Sequence, residues 1–140
     1  MYAYTAYGKN ATVLGWVESS WDAIYPYQIQ GTSGNGRDFS WPANCKGKST
    51  QGGLFWKNTT SDDNVNAVTT GLFMNLSARL YEVTRNPKYL QPAEDAYRFI
   101  KNQIYQANTD LVDDTLHVKD CCAFVCLMFL IYVLNPYYTL

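Results

Sequence analysis

Thr84-Arg-Asn-Pro-Lys-Tyr-Leu-Gln-Pro-Ala-Glu-Asp-Ala-Tyr-Arg-Phe-Ile100 decides the fold, because it reads as a tight polar turn followed at once by an amphipathic helix. Pro87 suits a first helical turn, where its missing N–H has no intrahelical partner, and Asn86 is placed to cap that turn. Tyr89, Leu90, Ala93, Tyr97, Ile100 and Ile104 then recur at helical spacing. Ahead of the turn, Val65, Val68, Leu72, Phe73, Leu76 and Leu80 do the same. Two helices joined by so short a connection must lie antiparallel, so the stretch is an αα-hairpin.

The turn and second helix have an echo. Gly8-Lys-Asn-Ala-Thr-Val-Leu-Gly-Trp-Val-Glu-Ser-Ser-Trp-Asp-Ala-Ile24 repeats the pattern at a constant offset of 76 positions. Asn10, Leu14, Glu18 and Ile24 correspond to Asn86, Leu90, Glu94 and Ile100; Lys9 pairs with Arg85 and Trp21 with Tyr97. Self-similarity of this kind marks a repeated supersecondary unit. The first copy predicts a helix over roughly Ala11 to Ile29, but the segment Tyr2 to Tyr7 is too short to be its full partner helix. The chain is therefore expected to begin inside a hairpin.

With 140 residues, 47% hydrophobic and a net charge of −1, the chain has one ordinary domain's worth of material and no basic patch for nucleic acid. Aromatics reach 16%. Most aromatics pack cores, but Phe39, Trp41, Phe55 and Trp56 fall in polar, loop-like surroundings, where indole rings also suit the apolar faces of sugars. They belong to a long irregular stretch, Gly31 to Lys57, rich in Gly, Ser, Asn and Pro. A connection this long is usually functional or disordered, and loops on a rigid scaffold are where binding residues sit. Within it, Gly52-Gly-Leu-Phe-Trp56 reads as a short strand.

Three N-glycosylation triplets occur, Asn10-Ala11-Thr12, Asn58-Thr59-Thr60 and Asn75-Leu76-Ser77. Asn75 lies in a predicted helix, which leaves Asn10 and Asn58 as the expected surface acceptors. Met1-Tyr-Ala-Tyr4 lacks the basic start and apolar core of a secretory leader. Cys121 to Leu134 is an uncharged apolar run of 14 residues, short of the roughly 20 needed to span a bilayer. No membrane span is expected there. A buried helix and the translation of a retained intron or altered splice both remain as readings of this tail.

Two Asp-Asp pairs invite a catalytic reading. Asp62-Asp63 stands just ahead of a predicted helix, where carboxylates cap free N–H groups and favour the helix dipole. Asp113-Asp114 reads as a solvated turn after a helix. His117 is the only histidine, so no metal site is expected, and no Gly-x-Ser-x-Gly elbow accompanies it for a serine-based triad.

Cys45 followed by Gly52-Gly-Leu-Phe-Trp56, then Asp63-Asn-Val-Asn66, Thr70-Gly-Leu-Phe-Met-Asn-Leu-Ser-Ala-Arg-Leu80, Thr84-Arg-Asn-Pro-Lys-Tyr-Leu90, Asp113-Asp-Thr-Leu-His117 and Asp120-Cys121 resembles glycoside hydrolase family 76. That family comprises α-1,6-mannanases and related fungal cell-wall proteins. The turn Ala6-Tyr-Gly-Lys-Asn10 and the run Ser20-Trp-Asp-Ala-Ile-Tyr-Pro-Tyr27 are similar to basidiomycete members. The resemblance implies an all-α, incomplete (α/α)6 toroid of two to three helical hairpins with a long loop. It divides the chain into a partial family domain over 1–120 and an apolar tail over 121–140. It also implies a secreted or cell-wall protein that acts on a mannose-containing glycan without a cofactor.

By the same resemblance, Phe55, Trp56, Asp63 and Asn66 are expected to contact substrate. Val65 stands where the family's Asp-Tyr-Lys-Asn pattern has lysine. Cys45 and Cys121 are placed where family members often carry a bridging pair, which would constrain the unfolded chain by about 4 kcal/mol in the loop-entropy picture. Cys122 is the competing partner, Cys126 would remain free, and four free cysteines are the alternative in a reducing compartment. The family's chemistry resembles retaining hydrolysis by two carboxylates. In the family these are consecutive aspartates among aromatics, well upstream of the Gly-Gly segment, and Met1 to Gln51 holds no match. The catalytic residues are accordingly unassigned. Three readings follow: a fragment of a secreted mannanase-like enzyme, a noncatalytic remnant or carbohydrate-binding module, and a truncated product that leaves apolar helix faces uncovered.

Overall fold

A computed structural model describes residues 1–34, 36–40, 42–121 and 123–125. Both turn-and-helix copies take the local form their sequences call for. Helix α1 (Tyr2–Ala6) is little more than one turn and leads through Tyr7–Asn10 into α2 (Ala11–Ile24). Lys9 and Arg85 both adopt the left-handed backbone, at φ 62° and 56°. Asn10 then caps α2, its Oδ1 accepting from the N–H groups of Thr12 and Val13 at 2.9 and 3.4 Å. Asn86 accepts from Lys88 N–H at 3.1 Å and opens a 3₁₀ turn, Pro87–Tyr89, that runs into α4 (Leu90–Phe99). Each cap occupies helix-end donors that would otherwise face water unpaired. Helix α2 stops earlier than the expected Ile29, because Pro26 ends it in a 3₁₀ turn over Tyr25–Tyr27.

Helix α3 (Ala67–Thr84) is the first arm of the hairpin and packs along α4. Its buried face runs Thr70, Phe73, Ser77, Leu80 at three- and four-residue spacing. The polar members are satisfied: Thr70 Oγ1 accepts from Leu54 N–H at 3.0 Å, and Ser77 Oγ accepts from Trp21 Nε1 at 2.7 Å while donating to the Phe73 carbonyl. Leu72 is 67% exposed, so part of the apolar periodicity read from the sequence faces outward. Val65 lies in a strand before the helix begins.

The fold is helix-rich but not all-α. Among the described residues, β3 (Asn64–Asn66), β4 (Tyr105–Gln106) and β6 (Ala123–Val125) each pair antiparallel with β5 (Leu111–His117). A separate two-residue hairpin, β1 (Ser33–Gly34) with β2 (Arg37–Asp38), sits in the long loop. Registers place Val65 opposite Leu116 and Tyr105 opposite Val112. Asp113-Asp114 is therefore strand, not solvated turn: Asp113 is buried, and its Oδ1 accepts from Gln106 Nε2 at 2.6 Å. Asp62-Asp63 likewise does not cap α3, because β3 intervenes and Asn66 takes the capping position. Ala123–Val125 is strand rather than the start of a buried helix, because β5 offers it an unpaired edge. The rest of the apolar tail from residue 126, with Cys126, and Cys122 and Trp41, lie outside the described residues.

Two apolar cores result. One gathers Trp21, Leu54, Phe73, Leu80 and Tyr89 between α2 and the hairpin. The other gathers Ile29, Phe55, Val65, Phe99, Ile104 and Leu116 where α4 and its terminal π-helical turn (Ile100–Ile104) meet the sheet. The Gly52-Gly53 pair threads between them. Gly52 has φ 86°, and a Cβ there would stand 2.2 Å from the Asp95 carbonyl oxygen; one on Gly53 would stand 2.4 Å from Val65 Cγ1. Only glycine lets this segment lie between α4 and β3. Cys45 and Cys121 form a disulfide with Cα atoms 5.7 Å apart, tying the long loop to the end of the sheet. Among the described residues, no helix is long and apolar enough to cross a membrane.

Candidate functional site

The glycine pair sets up the site. Leaving Gly53, the chain runs extended through Leu54 and Phe55 to Trp56, pinned on β3 by Asn66 N–H to the Leu54 carbonyl and Trp56 N–H to the Asn64 carbonyl, both 2.9 Å. On its other side Ile29 N–H donates to the Gly53 carbonyl at 2.9 Å. Side chains alternate along an extended segment, so Phe55 points into the core and Trp56 out of it. Phe55 is 6% exposed and meets Phe39 edge to face at 5.9 Å; Trp56 is 55% exposed.

Trp56 borders a shallow groove of about 180 Å³ lined by Ile24, Tyr27, Leu54, Phe55, Lys57, Asn58 and Thr69. Ile24 and Tyr27 come from the end of α2 and its 3₁₀ turn, and Thr69 from the first turn of α3. The loop after Trp56 is held from within. Asp62 is buried and accepts from Lys57 N–H at 2.6 Å through Oδ2, and through Oδ1 from both the N–H and Nδ2 of Asn64, at 3.2 and 2.8 Å. A carboxylate spent on three donors organises the loop and leaves little for chemistry.

The residues expected to touch substrate thus divide. Trp56 faces the groove. Phe55 lines its floor mainly as a core residue. Asn66 is 4% exposed, with Oδ1 accepting from Thr69 and Nδ2 reaching the Asp114 carbonyl at 3.1 Å, so it joins α3 to β5. Asp63 lies on another side, its Oδ1 3.6 Å from His117 Nδ1 and its carbonyl accepting from Val118 N–H. Thr69 carried no sequence signal of its own, Lys57 only closes the long loop, and Ile24 was noted as a repeat position matching Ile100. Only the Ser20–Tyr27 run, noted for its resemblance, pointed toward Tyr27.

The groove combines an exposed indole and a phenol with an amide, a hydroxyl and an ammonium, a donor set suited to a polyhydroxylated ligand with apolar ring faces. The model of glycosyl hydrolase family 76 matches residues 38–126, and the chain belongs to that family. A crystal structure of a family 76 glycoside hydrolase from a bovine Bacteroides thetaiotaomicron strain has the same fold, with a TM-score of 0.64 at 18% identity over 88% of this chain. The match takes in 24% of that chain, so this sequence spans about a quarter of its length. No curated protein matches. The family fold is the six-hairpin (α/α)6 toroid, to which this chain contributes the α3–α4 hairpin, the shorter α1–α2 unit and the small sheet.

Proposed function

We propose that this chain forms a sugar-binding wall of a secreted family 76 hydrolase that cleaves α-1,6-linked mannose in fungal-type mannan. The observation that carries this reading is Trp56, an exposed indole set on a glycine-threaded, doubly hydrogen-bonded extended segment at the mouth of a groove. Stacking on such a ring supplies affinity, while Asn58, Thr69 and Lys57 are placed along the same groove to meet hydroxyls. Retaining hydrolysis needs two carboxyl groups about 5–5.5 Å apart across the scissile bond. Asp62 and Asp113 are committed to structural hydrogen bonds, so we assign the catalytic pair to sequence beyond this stretch of the family domain. The Cys45–Cys121 disulfide supports an oxidising, extracellular setting.

Titration with α-1,6-linked mannooligosaccharides, followed by tryptophan fluorescence, tests the binding step. Saturable quenching that Trp56→Ala abolishes and Trp16→Ala leaves intact is the expected result. Equal responses from both variants would sink the proposal. Sequencing the complete transcript tests the catalytic step, with consecutive aspartates among aromatics upstream as the expected finding.

A further inference from the structure

We infer that Asn58 is a site of N-linked glycosylation and that Trp56 is the ring on which the attached sugar rests. The inference competes with the substrate role of Trp56, because a sugar on Asn58 that rests on that ring fills the same groove; it needs only an acceptor amide and a neighbouring ring. Asn58-Thr59-Thr60 is an acceptor triplet with an aromatic residue two positions before the asparagine. The loop that carries the triplet is closed on itself: Lys57 N–H donates to Asp62 Oδ2 at 2.6 Å, and Asp62 N–H donates to the Thr59 carbonyl at 3.2 Å. Asn58 is exposed, and it borders the same groove as Trp56. Asn58 and Trp56 line one groove, which sets the first sugar on Asn58 beside the indole.

The other two triplets lack this arrangement. Gly8 precedes Asn10 by two and offers no ring, and the Asn10 side chain caps α2. Phe73 precedes Asn75 by two but is buried at 3%, and Ser77, the third residue of that triplet, is buried in its bond with Trp21. The disulfide accords with the oxidising, secretory setting put forward above, where such transfer occurs.

The reaction requires a lipid-pyrophosphate-linked oligosaccharide and its transferase as co-reactants. The Asn58 amide nitrogen attacks the anomeric carbon, an N–C bond forms, and the C–O bond to phosphate breaks. The lipid pyrophosphate leaves with the electron pair, and the amide nitrogen gives up one proton to a base on the transferase.

The test expresses the full chain behind a cleavable leader in a eukaryotic secretory host, then treats it with peptide-N-glycosidase in heavy-oxygen water. Peptide mass spectrometry should find residue 58 converted to labelled aspartate, and Asn58→Gln should remove one glycan from the intact mass. Occupancy is read from the intracellular pool as well as the secreted one, so a variant that is retained in the cell still reports it. An unlabelled Asn58 overturns the site. For the ring, enzymatic removal of the glycan should lower Tm by about 3 °C in the wild-type chain and leave Trp56→Ala unchanged. The same shift in both chains overturns the role of Trp56.

Discussion

The two turn-and-helix units, Gly8–Ile24 and Thr84–Ile100, share their entry geometry and differ in the face they bury. Both begin with a left-handed residue, Lys9 or Arg85, followed by a capping asparagine. Yet Trp21 is 3% exposed whereas its counterpart Tyr97 is 45% exposed. In α2 only Trp21 is fully buried, while α4 buries Pro92, Ala93, Ala96 and Phe99. The second unit also turns its 3₁₀ corner onto the first. Tyr89 meets Trp21 edge to face at 4.8 Å and donates its hydroxyl to Glu18 at 3.0 Å, and Lys88 pairs with Asp22 at 3.0 Å. A local turn code can therefore be repeated faithfully while the neighbours decide which side of each helix becomes core.

The largest test of that difference sets Trp21→Ala beside Tyr97→Ala. Urea denaturation should show a loss of about 4 kcal/mol for the first, from a vacated aromatic core site and the lost hydrogen bond to Ser77, and within about 0.5 kcal/mol for the second. Similar losses would erase the contrast. Gly52→Ala probes the second unit's contact with the loop, since the added Cβ meets the Asp95 carbonyl while the matching Ser19 is exposed in the first unit. A destabilisation of about 2 kcal/mol is expected by thermal unfolding, with Ser19→Ala close to neutral. The shared feature should behave alike: Asn10→Ala and Asn86→Ala should each cost about 1 kcal/mol in the same assay, and a large inequality would show that one turn is imposed by packing.

The smallest effect concerns the corner between the units. The pairing with Asp22 raises the Lys88 pKa, and burial followed by the hydrogen bond to Glu18 raises that of Tyr89. Both groups are protonated in the fold, so their contribution is complete at neutral pH and is lost as pH rises above about 10. Asp22→Asn should flatten the Lys88 part of that decline by about 0.5 kcal/mol or less, as befits a solvent-exposed pair, measured by denaturation across pH 8–11.

The caps and the hairpin were legible because each is a local device: Asn86-Pro87 carries its geometry in adjacent residues, whereas the close approach at Gly52-Gly53 emerged only from the structure. The sheet was not, since β5 has no apolar alternation around Asp113-Asp114 and its partners come from distant parts of the chain. Of the candidate site, Trp56 was legible as an aromatic in a polar loop. That Asn66 caps α3 and anchors β5 was not legible, because the second contact is with Asp114, 48 positions away.

What the sequence by itself determined is the repeated turn, the helices it starts and the family to which they belong, because backbone conformation at Lys9-Asn10 and Arg85-Asn86 answers to its nearest neighbours. Only the tertiary structure decided that Trp21 is core and Tyr97 surface, that Phe55 faces in while Trp56 faces out, and that the groove draws on α2 and α3. Burial depends on which elements arrive alongside, and those contacts join residues tens of positions apart.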